Sequence, residues 1–182
     1  SGRPPDWGLT SRFFLPNEDA AVVRAAVDFL DAPVRRPVFV GGSGMVLLEV
    51  AGALPALERA TFVDITSFQL EYFREVIHAV TLAGSPDGLR RWFIQSVYPR
   101  LAVHFRGRGR EYPLDRVMEA LSDRFGVTFF FDTDALDRAR EAAGKVDIVR
   151  DDIVAYLARR ADAHDFIYLS NVPDYLFPAE AR

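Results

Sequence analysis

The sequence predicts an α/β fold: a parallel sheet with helices on both faces, held in one domain of 182 residues. Three observations predict it. Residues 36–64 run as strand, glycine turn, helix, strand and acid. They comprise an apolar run at 38–40, the cluster Gly41, Gly42 and Gly44, an apolar segment at 45–54, a second run at 61–63, and Asp64. That is the order of a nucleotide-binding β-α-β unit. The alternation returns at 145–177, with a strand, Asp151-Asp152, a helix and another apolar run. Finally, the 41–44 turn, Asp64, Asp151/Asp152 and Ser170/Asn171 all fall at expected carboxyl ends of strands, where such sheets bind ligands.

Taken in order, residues 1–16 read as irregular, with Pro4, Pro5 and Pro16. Asn17 is placed to cap a helix over 18–30, whose positions Val22, Val23, Ala26, Val27 and Leu30 recur at helical spacing. Residues 31–37 connect it to the first strand. After Asp64, Thr66 and Gln69 have the spacing of a capping box. Leu70, Phe73, Val76, Ile77 and Val80 make one apolar face of the helix that follows, and Gly84 is the expected stop. Residues 84–144 read as a largely helical insertion, with helices at 89–97, 114–125 and 132–143. Residues 101–105 are open between helix and strand. Residues 127–131 are rich in β-formers and read as a strand. The nucleotide-binding core is therefore 36–83 and 145–177, after an N-terminal helical segment at 1–35.

Composition excludes several classes. A net charge of -4 gives no footprint for nucleic acid. Cysteine is absent, so disulfides, thiolate metal sites and a cysteine nucleophile are excluded. His78, His104 and His164 are scattered, and none has two carboxylates at ligand spacing, so a metal site is not expected. His104 could act as a base within the insertion. No apolar run approaches the roughly 20 residues of a membrane span. The N-terminal residues do not read as a signal peptide, and a cytoplasmic location is expected.

The glycine cluster can be tested against known cradles. A Walker loop ends in Gly-Lys-Ser/Thr, and no lysine is present here. The dinucleotide pattern needs a small residue where Leu47 stands, and so large a side chain obstructs close helix–strand packing. NAD is therefore disfavoured. A glycine turn with no ligand is the bland alternative, and the spacing to Asp64 argues against it.

On these residues the chain resembles the class I S-adenosylmethionine-dependent transferases, the Rossmann-like methyltransferase superfamily. Val38-Phe-Val-Gly-Gly-Ser-Gly44 is similar to their first motif, and Asp64 matches their ribose acid. Val149-Arg-Asp-Asp-Ile153 is similar to the segment that contacts adenine, with Asp152 aligning best and Asp151 second. Asp165-Phe-Ile-Tyr-Leu-Ser-Asn171 is similar to the fourth-strand motif facing the reacting sulfonium. Val40 stands where the family has an acid, and Val46 where it has a glycine. Two further stretches, Asp64-Ile-Thr-Ser-Phe-Gln-Leu70 and Tyr168-Leu-Ser-Asn-Val-Pro-Asp-Tyr175, are similar to a branch that moves the 3-amino-3-carboxypropyl group. Betaine-lipid synthesis enzymes belong to that branch.

The resemblance implies S-adenosylmethionine as cofactor. Gly42, Ser43 and Gly44 would hold its amino-acid end, Asp64 the ribose, and Asp152, with Asp151 second, the adenine; Gly41 and Ser170 would be further cofactor-binding residues. Asn171, Asp174 and Tyr175 would face a small-molecule or lipid-like acceptor. Either methyl or 3-amino-3-carboxypropyl transfer fits. The alternatives are an NAD-binding oxidoreductase and a degenerate, non-catalytic Rossmann-like binding or assembly module. Such a fold normally carries three more strands after the fourth, so the C-terminal half reads as truncated. A bare sheet edge is a liability, and a homodimer or a longer parent chain is expected.

Overall fold

The computed structural model describes residues 14–106 and 113–170. Four strands, β1 (Pro37–Val40), β2 (Ala60–Asp64), β3 (Val146–Arg150) and β4 (Phe166–Tyr168), pair in parallel in the order β3-β2-β1-β4. The expected α/β architecture is thus observed. The chain walks from β1 outward to β2 and β3, then crosses back to place β4 on the other side of β1. The order therefore reverses between β1 and β4, and that switch point opens a crevice at the carboxyl ends.

Alternation along the strands sorts the core into two faces. Phe39, Ala60 and Phe62 point to a large cluster beneath α2 (Met45–Gly52), α3 (Ser67–Leu82) and α7 (Thr133–Ala143). Val38, Val40 and Val63 point the other way, to a small cluster closed by Ile153 of α8 (Ile153–Arg160). The sheet is covered on both faces, but unequally. α2 is buried from Met45 to Ala51, because it lies between the sheet, α7 and the first helix α1 (Ala20–Asp28).

The insertion is helical, as expected, but its details differ. Helix α4 (Pro86–Trp92) does not stop before Pro99. It passes through a π-helical turn (Phe93–Val97) into α5 (Tyr98–Arg106). Proline lacks an amide donor and clashes with the carbonyl four residues back, and a widened turn relieves both faults. Residues 101–105 are thereby helical. A second π-turn (Ala120–Arg124) ends α6 (Leu114–Glu119).

Three local expectations are corrected. The cap of α1 is Asp19, not Asn17, and its carboxylate accepts the Ala21 amide at 2.8 Å. Thr66 does not close a capping box. Its hydroxyl turns back to Asp64, and Gln69 is buried, 1% exposed. Residues 127–131 are a turn and not a strand. Two of their backbone donors are taken by a side chain: the Glu49 carboxylate in α2 accepts Thr128 N at 2.8 Å, Thr128 Oγ1 at 2.6 Å and Phe129 N at 3.4 Å, while Val127 N and Phe131 N donate to Leu121 O and Thr128 O. Phe129 and Phe130 are buried in the large core as the composition suggests, but from a loop.

Candidate functional site

The site begins at the end of β1. Gly41, Gly42 and Gly44 all have positive φ, at 57°, 73° and 74°. Side chains with a Cβ rarely adopt that backbone. The three glycines are otherwise unlike. A Cβ on Gly44 would strike the buried ring of Phe73, so that glycine serves the core. A Cβ on Gly41 would stand 3.0 Å from Asp64 Oδ2, so that glycine lets the acid lie against the turn. A Cβ on Gly42 would meet nothing within 4 Å. Gly42 is the member of the turn with open space at its side. Ser43 is 2% exposed and its hydroxyl accepts the Met45 amide at 3.3 Å, which serves the start of α2.

Asp64 ends β2 beside this turn. Its Oδ1 accepts Thr66 N at 2.7 Å and Thr66 Oγ1 at 2.8 Å, which aims the other oxygen, Oδ2, toward Gly41. Burial pushes its carboxyl above the ordinary value, and the bonds from Thr66 and Ile65 offset only part of that.

Ser170 follows β4 on the far side of the switch point, with φ at 52°. Its hydroxyl donates to Glu18 Oε1, a contact that joins positions 152 residues apart. Residues 16–18 form the roof of the crevice. The lining below comprises Phe39, Val40, the 41–44 turn, Val46, Leu47, Tyr168 and Ser170. As roofed, the crevice has room for only about 20 Å³. Among the described residues that line it, Glu18 alone is charged. The Tyr168 ring lies 5.3 Å from that of Phe39, and burial, with the Glu18 carboxylate beside it, holds its phenol protonated far above the ordinary range.

The sequence-predicted residues divide accordingly. Gly41, Gly42, Gly44, Asp64 and Ser170 converge on the switch point. Asp151 and Asp152 lie at the end of β3, one strand further out. The Asp151 amide donates to Asp64 O at 3.2 Å, but its carboxylate pairs with Arg159. Asp152 Oδ1 accepts the Ala155 amide at 3.0 Å and so caps α8. Asn171, Asp174 and Tyr175 lie outside the described residues. Val40 is explained by its position: it packs with Val38, Val63 and Ile153, where an acid would be buried among aliphatics. Glu18 was not foreseen. A lone acid ahead of a helix carries no local sign that the chain will fold it onto a strand end far along the sequence.

A second, larger cleft of about 550 Å³ lies against α8. Arg36, Arg59, Arg159 and Arg160 line it with Asp147 and Asp151. Two ion pairs, Arg59–Asp147 at 3.0 Å and Arg159–Asp151, occupy both acids. His164 Nδ1 lies 3.1 Å from Arg36 O, a group that can only accept, so Nδ1 carries the proton and, in the neutral ring, Nε2 takes the Tyr156 hydroxyl at 2.9 Å.

Among the described residues no group of three or more metal-ligating side chains is placed to hold an ion, and no helix is long and apolar enough to cross a membrane. Comparison of the chain with protein-family models, with curated proteins and with solved structures found no match.

Proposed function

We propose that the chain is an S-adenosylmethionine-binding transferase that moves a methyl or 3-amino-3-carboxypropyl group to a small-molecule or lipid-like acceptor. One observation carries the reading: the open glycine turn lines an acidic crevice at the switch point between β1 and β4, and a half-buried acid at the end of β2 lies against that same turn. The chemistry of these groups fits the cofactor. Gly42 leaves its backbone approachable, and Asp64 Oδ2 is aimed at the turn where a ribose hydroxyl would need an acceptor. Among the described residues that line it, the crevice carries a carboxylate and no cation, which suits a sulfonium and an α-ammonium and opposes a pyrophosphate. That same sign of charge weighs against NAD.

When bound, the cofactor supplies a carbon activated by its sulfonium. The protein's part is to hold and orient. The 41–44 turn fixes the amino-acid end and Asp64 the ribose. Tyr168, kept protonated, can donate but does not serve as a base at neutral pH. The large apolar side chains of Leu47 and Val46 keep water from the turn. A nucleoside enters only when the 16–18 roof lifts, since 20 Å³ is room for about one water.

The arginine-lined cleft against α8 favours a second reading, a non-catalytic Rossmann-like module that binds an acidic partner there. Calorimetry separates the two. The transferase reading expects heat with S-adenosylmethionine or S-adenosylhomocysteine, lost in Asp64→Ala, and none with NADH. No heat with either cofactor form would overturn it. Product analysis then assigns the transferred group: S-adenosylhomocysteine marks methyl transfer, and methylthioadenosine marks aminocarboxypropyl transfer.

A further inference from the structure

We propose that Glu18 is the counter-charge for the cationic centre of the ligand, supplied to the switch-point crevice by the segment that roofs it. This rests on the transferase reading above. It assigns the charge selectivity of that site to a residue outside every motif the sequence displays.

The first support is electrostatic. Among the described residues that line the crevice Glu18 alone is charged, and its hydrogen-bond partners, the Ser170 and Tyr168 hydroxyls, are neutral. Arg36 and Arg59, which precede β1 and β2, line the other cleft. A half-buried carboxylate with no cation beside it among the described residues strongly favours a cationic guest, because its charge is poorly screened there. The second support is the wall. Tyr168 and Phe39 both line this space, and aromatic rings attract onium groups. The third is the backbone at Ser170. A φ of 52° is rare for a residue with a Cβ, and such strain persists where the surroundings hold it. It turns the Ser170 hydroxyl to the carboxylate and so positions Glu18 over the turn.

The roof is a short span between two anchors. On one side Phe14 is buried, and the Tyr72 hydroxyl donates to its carbonyl at 2.8 Å. On the other, Asp19 caps α1 and Ala20 N donates to Phe125 O at 2.9 Å. Residues 15–18 bridge them. Lifting this span opens the crevice, and closing it returns Glu18 to the site. Glu18 then exchanges the Ser170 hydroxyl for the ligand's positive centre. Val40 becomes intelligible on this basis: the acid that the strand does not carry is brought by the roof.

The test compares two ligands that differ in charge at sulfur. Calorimetry is run with S-adenosylmethionine, a sulfonium, and S-adenosylhomocysteine, a neutral thioether, on the full chain, Glu18→Gln and Ser170→Ala. Thermal melts confirm that each variant folds. The expected result is that Glu18→Gln weakens the sulfonium by about tenfold or more, leaves the thioether within about twofold, and so removes the preference. Ser170→Ala, which takes away one neutral donor and leaves the Tyr168 hydroxyl beside Glu18, keeps the preference. Equal weakening of both ligands in Glu18→Gln, or no change in either, overturns the assignment while the transferase reading stands. Absence of binding of both ligands to the unaltered chain overturns the transferase reading, and the assignment with it.

Discussion

A Cβ on Gly44 would stand 2.0 Å from the ring of Phe73, a side chain with no exposed surface. The last glycine of the turn is therefore required by the core, while Gly42 faces open space. Gly44→Ala meets both the left-handed backbone and a ring that packs 4.3 Å from Phe62. It is expected to cost about 3 kcal/mol or more. Gly42→Ala meets the backbone cost alone, about 1 kcal/mol. Denaturant melts separate the two. Calorimetry completes the contrast, since Gly42→Ala is expected to stay folded and to lose affinity for S-adenosylmethionine. Equal stability losses would contradict the different roles of the two glycines.

Asp64 trades stability for its position. Its folded carboxyl titrates above the ordinary 3.8, first because it is buried and despite the bonds from Thr66. The folded state then keeps the proton longer than the unfolded chain does. Stability from this group is full below the ordinary value and is lost as pH rises through the raised one. Above the raised value the ionised, half-buried acid is a net cost. Asp64→Asn keeps an acceptor for the Thr66 amide and removes the charge. Its melting temperature should match or exceed that of the unaltered chain at pH 7, by roughly 2–4 °C per kcal/mol gained, and the gap should close as pH falls toward 4. Binding of S-adenosylmethionine should weaken in the same variant. A lower melting temperature at pH 7 would show that the carboxylate's bonds outweigh its burial.

The parts of this fold legible in the sequence are those set by local pattern. The three apolar runs ahead of the 41–44 turn, Asp64 and Asp151 are strands because β-formers end there at glycine or acid. Helix α8 spans 153–160 as read, because its apolar face and flanking acids are local. What was not legible depends on contacts between distant positions. Residues 127–131 have the composition of a strand, yet Glu49, some 80 residues earlier, captures their amides and makes a turn. Thr66 and Gln69 have the spacing of a capping box, but Asp64 two residues before competes for the hydroxyl and the core takes Gln69. Pro99 reads as a helix end, and the π-turn that accommodates it has no sequence sign. The site divides in the same way. Its glycines and Asp64 are local motifs, whereas Glu18 reaches Ser170 only through the tertiary fold.

Glu49 is the most consequential of these distant contacts. Its side chain is 3% exposed and receives three donors from Thr128 and Phe129, with Arg24 at 3.5 Å. Glu49→Ala leaves two buried amides and a hydroxyl without their acceptor. At about 1–3 kcal/mol for an unsatisfied buried group, the loss should be about 3 kcal/mol or more. Glu49→Gln keeps one acceptor oxygen and should cost about half as much. Thermal melts check the ranking, and hydrogen exchange at the 128 and 129 amides locates it. A loss below about 1 kcal/mol in the alanine variant would mean that the aromatic packing of residues 129–130 holds the turn unaided.

Tyr72 tests the anchor of the roof without touching the crevice. Its ring is buried among aromatics, 5.4 Å from that of Phe14, and its hydroxyl donates to the Phe14 carbonyl. Burial holds the phenol protonated far above its ordinary range, so this donor does not titrate under working conditions. Tyr72→Phe preserves the packing and removes the bond, leaving a buried carbonyl unsatisfied. The expected cost is about 1–2 kcal/mol. Because Phe14 ties one end of the 15–18 span, amide exchange at Asn17 and Glu18 should quicken by more than the global loss accounts for, while exchange in β1 and β2 tracks the global loss. Uniform quickening across all of these amides would show that the roof does not open independently of the sheet.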